Sequence, residues 1–264
     1  MTTLQWRKWT SLWLNVGAAR MLDMLLPPHC PLCRAPVAEA HALCGDCWAG
    51  LPLLDGPACP VSGLPLAGSP QAIAAYLSLP ALTEQVPWQT LIAACFHDGS
   101  ARRLVHRLKY HDDHAPARLM ARLLLKRLQA TLPRRELANA LIVPVPLHRR
   151  RLWQRRFNQS ALLAQGLASH LRIPCLPDAL LRTRPTRPQT GLSGIERRRN
   201  LRDAFAANPR HAARLQGRTV LLLDDVFTTG ATARACAHTL RQAGVSTVHV
   251  AVFALASQRR ALHI

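Results

Sequence analysis

Acidic side chains are scarce in this 264-residue sequence: 14 Asp and Glu stand against 34 Lys and Arg, a formal net charge of +20. That shortage favours polyanionic partners, whether phosphates, nucleic acid or acidic membranes, and does not choose among them. A composition rich in Arg, Ala, Leu and Pro also fits a biased genome. Aromatics make up only 5% of residues, and three of the six Trp fall within the first thirteen positions. Stacking platforms for unpaired bases are therefore few. No uncharged apolar run reaches the roughly 18 residues a membrane-spanning helix needs, which excludes integral membrane association. With 49% hydrophobic residues the chain is not a disordered one, and its length allows one sizeable domain plus a small module.

What is present is concentrated in Val220–Thr232, Val-Leu-Leu-Leu-Asp-Asp-Val-Phe-Thr-Thr-Gly-Ala-Thr. Four apolar residues predict a buried parallel strand, and a hydroxyl- and glycine-rich turn leads into a helix over Ala231–Ala243 closed by Gly244. Ligands of such sheets bind beyond the carboxyl ends of the strands. Thr228, Thr229 and Thr232 offer hydroxyls, Gly230 permits close backbone approach, and the N–H groups opening the helix favour an anion. A phosphate fits that turn. Asp224 and Asp225, just upstream, would face something hydroxylated or cationic beside it, such as a ribose or Mg²⁺. The plain alternative is a helix cap and a filled turn.

This run resembles the phosphoribosyl-pyrophosphate (PRPP) motif of type I phosphoribosyltransferases. The resemblance implies that Asp224 and Asp225 are the catalytic acidic pair, holding the ribose 2′ and 3′ hydroxyls. It also implies that Thr228, Thr229, Gly230, Ala231 and Thr232 cradle the 5′-phosphate. The implied reaction displaces pyrophosphate from C1 by a nitrogen nucleophile with help from Mg²⁺. Positioning and charge stabilisation carry such a step, with no side-chain nucleophile.

Cys30-Pro-Leu-Cys33 and Cys44-Gly-Asp-Cys47 form a paired knuckle pattern. Two C-x-x-C turns supply the four thiolates of a closed structural Zn²⁺ site with no open position for catalysis. The rival readings are two disulfides or a redox pair, but nothing nearby looks thioredoxin-like. His29 and His41 are candidate substitute ligands, and the simpler reading is that they are solvated neighbours. Cys59, Cys95, Cys175 and Cys236 lack such spacing and read as small buried residues. Residues 1–28 are expected to form an amphipathic helix, with Trp6, Trp9 and Trp13 at helical spacing, that packs on its neighbours rather than acting as a secretory signal. Residues 29–68 are expected to form a zinc-ribbon-like module. Residues 69–264 are expected to form the main domain, after a loop-rich connection from Gly56 to Pro87.

In the main domain the patterning predicts a strand over Leu91–Phe96, a helix over Ser100–Tyr110 capped by Ser100, a helix over Ala115–Leu132 and a buried strand over Ala140–Val145. After that strand comes an arginine-rich loop with Pro146, Leu147, Arg150 and Arg151, then a helix capped by Asn158. Guanidinium forks and backbone amides there suit pyrophosphate, and a solvated basic face is the alternative. The basic stretch Arg182–Phe205, with Arg197 and Arg198, is a candidate lid that would shield the site from water; its alternative is an exposed basic helix.

The zinc knuckle, the proline-flanked Arg segment, Arg156-Phe157-Asn158-Gln159-Ser160, Gln189 with Asn200 and Phe205, and the Asp-Asp-Val-Phe-Thr-Thr-Gly motif together resemble the ComF family. Membership implies an α/β type I phosphoribosyltransferase fold, a mostly parallel sheet with flanking helices, behind a small N-terminal zinc ribbon. It implies a bacterial, cytoplasmic protein linked to DNA uptake in natural competence, with PRPP as ligand and single-stranded DNA or DNA-uptake proteins as candidate partners. A glutamine-using amidotransferase commonly carries an N-terminal cysteine, which Met1-Thr2-Thr3 does not supply. Two departures stand out. Cys59 is followed by Ser62, with no further cysteine before Cys95, so a second zinc pattern is incomplete. The family's Arg-Gly-Phe-Asn-Gln reads Arg155-Arg156-Phe157-Asn158-Gln159, with a cation for glycine and a local backbone expected to differ. Two functions remain open: a transferase acting on a nitrogen acceptor, and a nucleic-acid-associated competence factor whose PRPP site is regulatory or vestigial.

Overall fold

A computed structural model describes residues 28–69, 71, 86–110, 115–184 and 204–256, leaving out the side chains of Arg149, Arg150 and Gln154. The expected N-terminal helix, Arg197 and Arg198 lie outside these residues. The chain divides into two compact units, Met1–Ala49 and Gly50–Ile264.

In the first unit a tight turn at Cys30–Arg34 is closed by an antiparallel bridge between His29 and Pro36. A short helix, α1 (Gly45–Ala49), follows Cys44 and carries Cys47.

The second unit is built on four parallel strands: β1 (Thr90–Phe96), β2 (Ala140–Pro144), β5 (Thr219–Phe227) and β6 (Thr247–Leu255), in the spatial order β1-β6-β5-β2. All are apolar along most of their length, as strands covered on both faces must be. The connections run through helices α2 (Gly99–Tyr110), α3 (Ala115–Thr131), α4 (Arg134–Ala138), α5 (Arg149–Arg155), α6 (Gln159–Leu171), α7 (Ala212–Leu215) and α8 (Ala231–Gln242). One face of the sheet, with Val220, Leu222, Val250 and Val252, packs on Ala233, Cys236, Ala237 and Leu240 of α8. Helices α3 and α6 pack on each other and against the strands, burying Leu124, Leu128, Leu163 and Leu167.

A separate antiparallel pair, β3 (Leu180–Arg182) and β4 (Phe205–Ala207), aligns Arg182 with Phe205. The two ends of the expected lid are thus strand partners, and any lid is confined to the residues between them. Residues 50–66, which the sequence reading places in the small module and its connection, pair with the edge strand β1 in the second unit: Leu54 N–H donates to Ala94 O, Phe96 N–H to Pro52 O and Leu91 N–H to Pro60 O.

Strand β5 runs through Asp224 and Asp225 to Phe227, with Val226 and Phe227 still paired to β6, so the acidic pair lies on the strand near its end. Two local expectations change. The arginine-rich segment is helical from Arg149, since its run of Arg, Leu, Trp and Gln holds no Gly or Pro to break it. Helix α2 begins at Gly99 with the Asp98 carboxylate accepting its N–H at 2.8 Å, so Ser100 lies buried inside the first turn instead of capping it.

Candidate active site

The parallel register sets where the site lies. Pro144 at the end of β2 aligns with Leu223, and Val145 N–H donates to Leu223 O at 2.8 Å. The segment leaving β2 therefore runs beside Asp224. Pro144 and Pro146 are buried, Leu147 and Arg151 are half-buried, and Arg150 lies on the first turn of α5.

Asn158 joins these pieces. Its side chain caps α6 as expected, accepting from Ser160 N–H at 3.0 Å, while its Nδ2 donates to Val145 O at 3.0 Å. Ser160 Oγ then donates to Asp224 Oδ1 at 2.9 Å, and the same oxygen accepts Asp225 N–H. The root of the β2 loop, the start of α6 and the acidic pair form one hydrogen-bonded chain.

The two carboxylates are held differently. Burial, then the neighbouring charge of Asp225, pushes the Asp224 carboxyl up to about 7, with the Ser160 hydroxyl and Asp225 N–H pulling against that rise. Asp225 Oδ2 meets Lys109 Nζ, from the last turn of α2, at 2.7 Å. Lys109 also helps lower the pKa of His97, although burial is the larger cause. Arg182 is held low by burial, then by the charge of Arg151, with Asp224 acting the other way.

Past β5, Thr228 and Thr229 are exposed, Gly230 and Ala231 are buried and Thr232 is half-buried. Gly230 opens α8 with φ +73°, and no side chain caps the helix there. A Cβ at Gly230 would stand 2.6 Å from Phe227 Cζ in a conformation side chains avoid, so glycine is required twice over. Phe227 meets the edge of Trp88 at 6.0 Å between centroids, with Arg234 over the Trp88 ring. This turn has what an anion needs: an uncapped helix start, hydroxyls and close backbone approach.

Lys109, Ser160 and Arg182 had no role in the acidic-pair motif read from the sequence. Each comes from an element distant in sequence, and only the strand order brings them to Asp224 and Asp225. Arg156 takes φ +61°, in the left-handed region glycine favours, at the position where the family pattern has glycine.

In the first unit the sulfurs of Cys30, Cys33, Cys44 and Cys47 lie within 4.8 Å of one another, with Cys33 and Cys44 Sγ 3.4 Å apart. A tetrahedral Zn²⁺ with bonds of about 2.3 Å sets sulfurs about 3.8 Å apart, so the cluster fits a structural zinc. Cys59, Cys95 and Cys236 are buried and Cys175 is half-buried. Burial pushes the Cys95 thiol up to about 12 and Cys175 up to about 11, which leaves them unreactive. Among the described residues no helix is long and apolar enough to cross a membrane.

Fold and site together define a phosphoribosyltransferase domain preceded by a zinc ribbon. A family model described as Double zinc ribbon domain matches residues 21–76, and one described as Phosphoribosyl transferase domain matches residues 158–263. The chain is 37% identical over 231 residues to the DNA utilization protein YhgH of Escherichia coli O157:H7, covering 86% of this chain and 96% of that protein. It is 38% identical over 234 residues, with the same two coverages, to the protein of that name from Salmonella typhi. To Competence protein F of Haemophilus influenzae it is 33% identical over 170 residues, 64% of this chain and 74% of the relative. The chain belongs to the ComF family.

Proposed function

We propose that the chain binds PRPP with Mg²⁺ at Asp224–Thr232 and transfers its phosphoribosyl group to a nitrogen acceptor. The observation that carries this reading is the continuity of β5 with α8: two carboxylates at the strand end lie beside an uncapped helix start opened by Gly230. Asp224 and Asp225 accept the two ribose hydroxyls, Asp224 in its ionised form. Thr228, Thr229, Gly230, Ala231 and Thr232 take the 5′-phosphate. The carboxylates are hard oxygen donors of the kind Mg²⁺ uses, and the ion supplies charge neutralisation on the leaving group when bound. Pro146, Leu147, Arg150 and Arg151 face the pyrophosphate, and Arg197 and Arg198 belong to a lid over it. In the reaction the C1–O bond to pyrophosphate breaks with its electron pair, the C1–N bond forms, and the nitrogen's proton passes to solvent. The cytoplasm, where PRPP is made and thiols stay reduced, is the proposed compartment. Incubation with PRPP, Mg²⁺ and a panel of bases and amines tests the transfer: a phosphoribosylated product with stoichiometric pyrophosphate is expected, and release of ribose 5-phosphate by hydrolysis alone would count against transfer.

A second reading, a nucleic-acid-associated factor with a regulatory or vestigial PRPP site, has one observation in its favour. Trp153 on the basic helix α5 is 90% exposed, and Arg155 lies over Tyr110, itself 62% exposed. An aromatic on a cationic surface is the usual platform for single strands. On this reading single-strand binding weakens steeply with salt and loses slope when Arg150 and Arg151 are replaced. On the first reading those replacements weaken PRPP or pyrophosphate binding instead.

A further inference from the structure

Residues 28–37 and 57–66 fold alike. In the first stretch Cys30 N–H donates to Ala35 O at 2.7 Å, Arg34 N–H to Cys30 O at 2.9 Å and Val37 N–H to Pro28 O at 2.9 Å. In the second, Cys59 N–H donates to Leu64 O at 2.8 Å, Gly63 N–H to Cys59 O at 2.8 Å and Leu66 N–H to Pro57 O at 3.0 Å. The antiparallel bridge His29–Pro36 has its counterpart in Ala58–Pro65. The positive φ of Arg34, 65°, recurs at Gly63, 68°. Every position maps by one constant offset, Cys30 onto Cys59 and Val37 onto Leu66. Even the ligand-side bond is kept: Ala35 N–H reaches the Cys33 sulfur, and Leu64 N–H reaches Ser62 Oγ at 3.4 Å.

The donor set is not kept. Ser62 stands where Cys33 stands, the same offset carries Cys44 and Cys47 onto Ile73 and Tyr76 in the sequence, and no Cys or His occurs from Pro60 to Ala94. A knuckle holds its shape because its sulfurs converge on an ion while peptide N–H groups donate to those sulfurs, so a copy that lacks the full ligand set needs another anchor. That anchor is the sheet edge. Leu91 N–H donates to Pro60 O at 2.8 Å, the Trp88 indole donates to Val61 O at 3.3 Å, and Gly63 sits so close to Leu91 that a Cβ there would be 3.1 Å from its Cγ. These contacts also cover β1, an edge strand whose open side would otherwise be a template for another chain.

We propose that residues 57–66 are a zinc knuckle that holds no metal and uses the edge of the sheet in its place, so that the protein carries a single zinc, at Cys30, Cys33, Cys44 and Cys47. The inference stands independently of any PRPP chemistry. The second ribbon implied by the family match is then a brace, and it fixes Trp88, whose ring backs Phe227 beneath Gly230.

The test is hydrogen exchange on the full-length zinc-loaded protein, with and without a strong chelator, beside metal analysis of the unmodified chain and Cys59→Ala. Expected are one zinc per chain in both proteins, loss of protection at the amides of Cys30, Arg34 and Val37 on chelation, and retained protection at Cys59, Gly63, Leu66 and Leu91. Two zincs per chain, a metal content that falls with Cys59→Ala, or collapse of protection across 57–66 on chelation would overturn the proposal. Should Cys59→Ala fail to fold, the exchange pattern of the unmodified protein decides alone.

Discussion

Residues 28–49 and the sheet of the second unit are held together by different physics. Among its described residues the first stretch buries only Cys30, Pro31 and Cys47; Leu32, Val37 and Leu43 are half-buried and Trp48 is exposed. In β5, by contrast, Val220, Leu221, Leu222 and Leu223 are all fully buried. One region depends on an ion where the other has a core, and the lesson is that loss of metal and loss of packing should damage the molecule in separable ways.

The sharpest break of that comparison is Cys44→Ser with Cys47→Ser. Structural zinc in small modules supplies about 10 kcal/mol of folding free energy, so zinc and all ordered structure over 28–49 should be lost together while the main thermal transition stays. Metal analysis with calorimetry checks this, and a metal content untouched by the double change would refute the four-cysteine site. Next in size, Leu222→Ala should lower stability of the second unit by about 2–5 kcal/mol in denaturant titration and leave zinc content unaltered.

Smaller effects probe the site within the second region. Asp224 holds its proton more tightly folded, near about 7, than the ordinary value of 3.8. Its contribution to stability therefore declines as pH rises between those two values, because the folded state binds more protons there. Asp224→Asn should flatten that decline in denaturant midpoints measured from pH 4 to 8, and an unchanged slope would count against the buried carboxyl. The least effect is expected at Arg156. Its left-handed backbone costs a side chain about 1 kcal/mol, so Arg156→Gly should stabilise by up to that amount in the same titration.

The same contrast explains what could be read from the sequence. Cysteine spacing announces a knuckle because the metal imposes it locally, and the run Asp224–Thr232 announces an anion site because strand, carboxylates, glycine and hydroxyls are contiguous. The parallel fold class was legible in the same way from apolar runs such as Val220–Leu223. Lys109 at Asp225, Ser160 at Asp224 and Arg182 nearby were not legible, since strand order and not local pattern makes them neighbours. The metal-free knuckle was half legible: Cys59 with Ser62 shows an incomplete zinc pattern in the sequence, while the repeat of the first copy's backbone shows only in the structure.

The central claim is that the paired carboxylates at the end of β5 hold a sugar phosphate. Calorimetric titration of PRPP with Mg²⁺ into the unmodified protein and into Asp224→Asn with Asp225→Asn, at pH 8 where Asp224 is ionised, tests it most directly. The account predicts saturable binding to the unmodified chain and its loss in a double mutant that remains folded by calorimetry. Undiminished Mg²⁺-dependent affinity in that folded double mutant would contradict it.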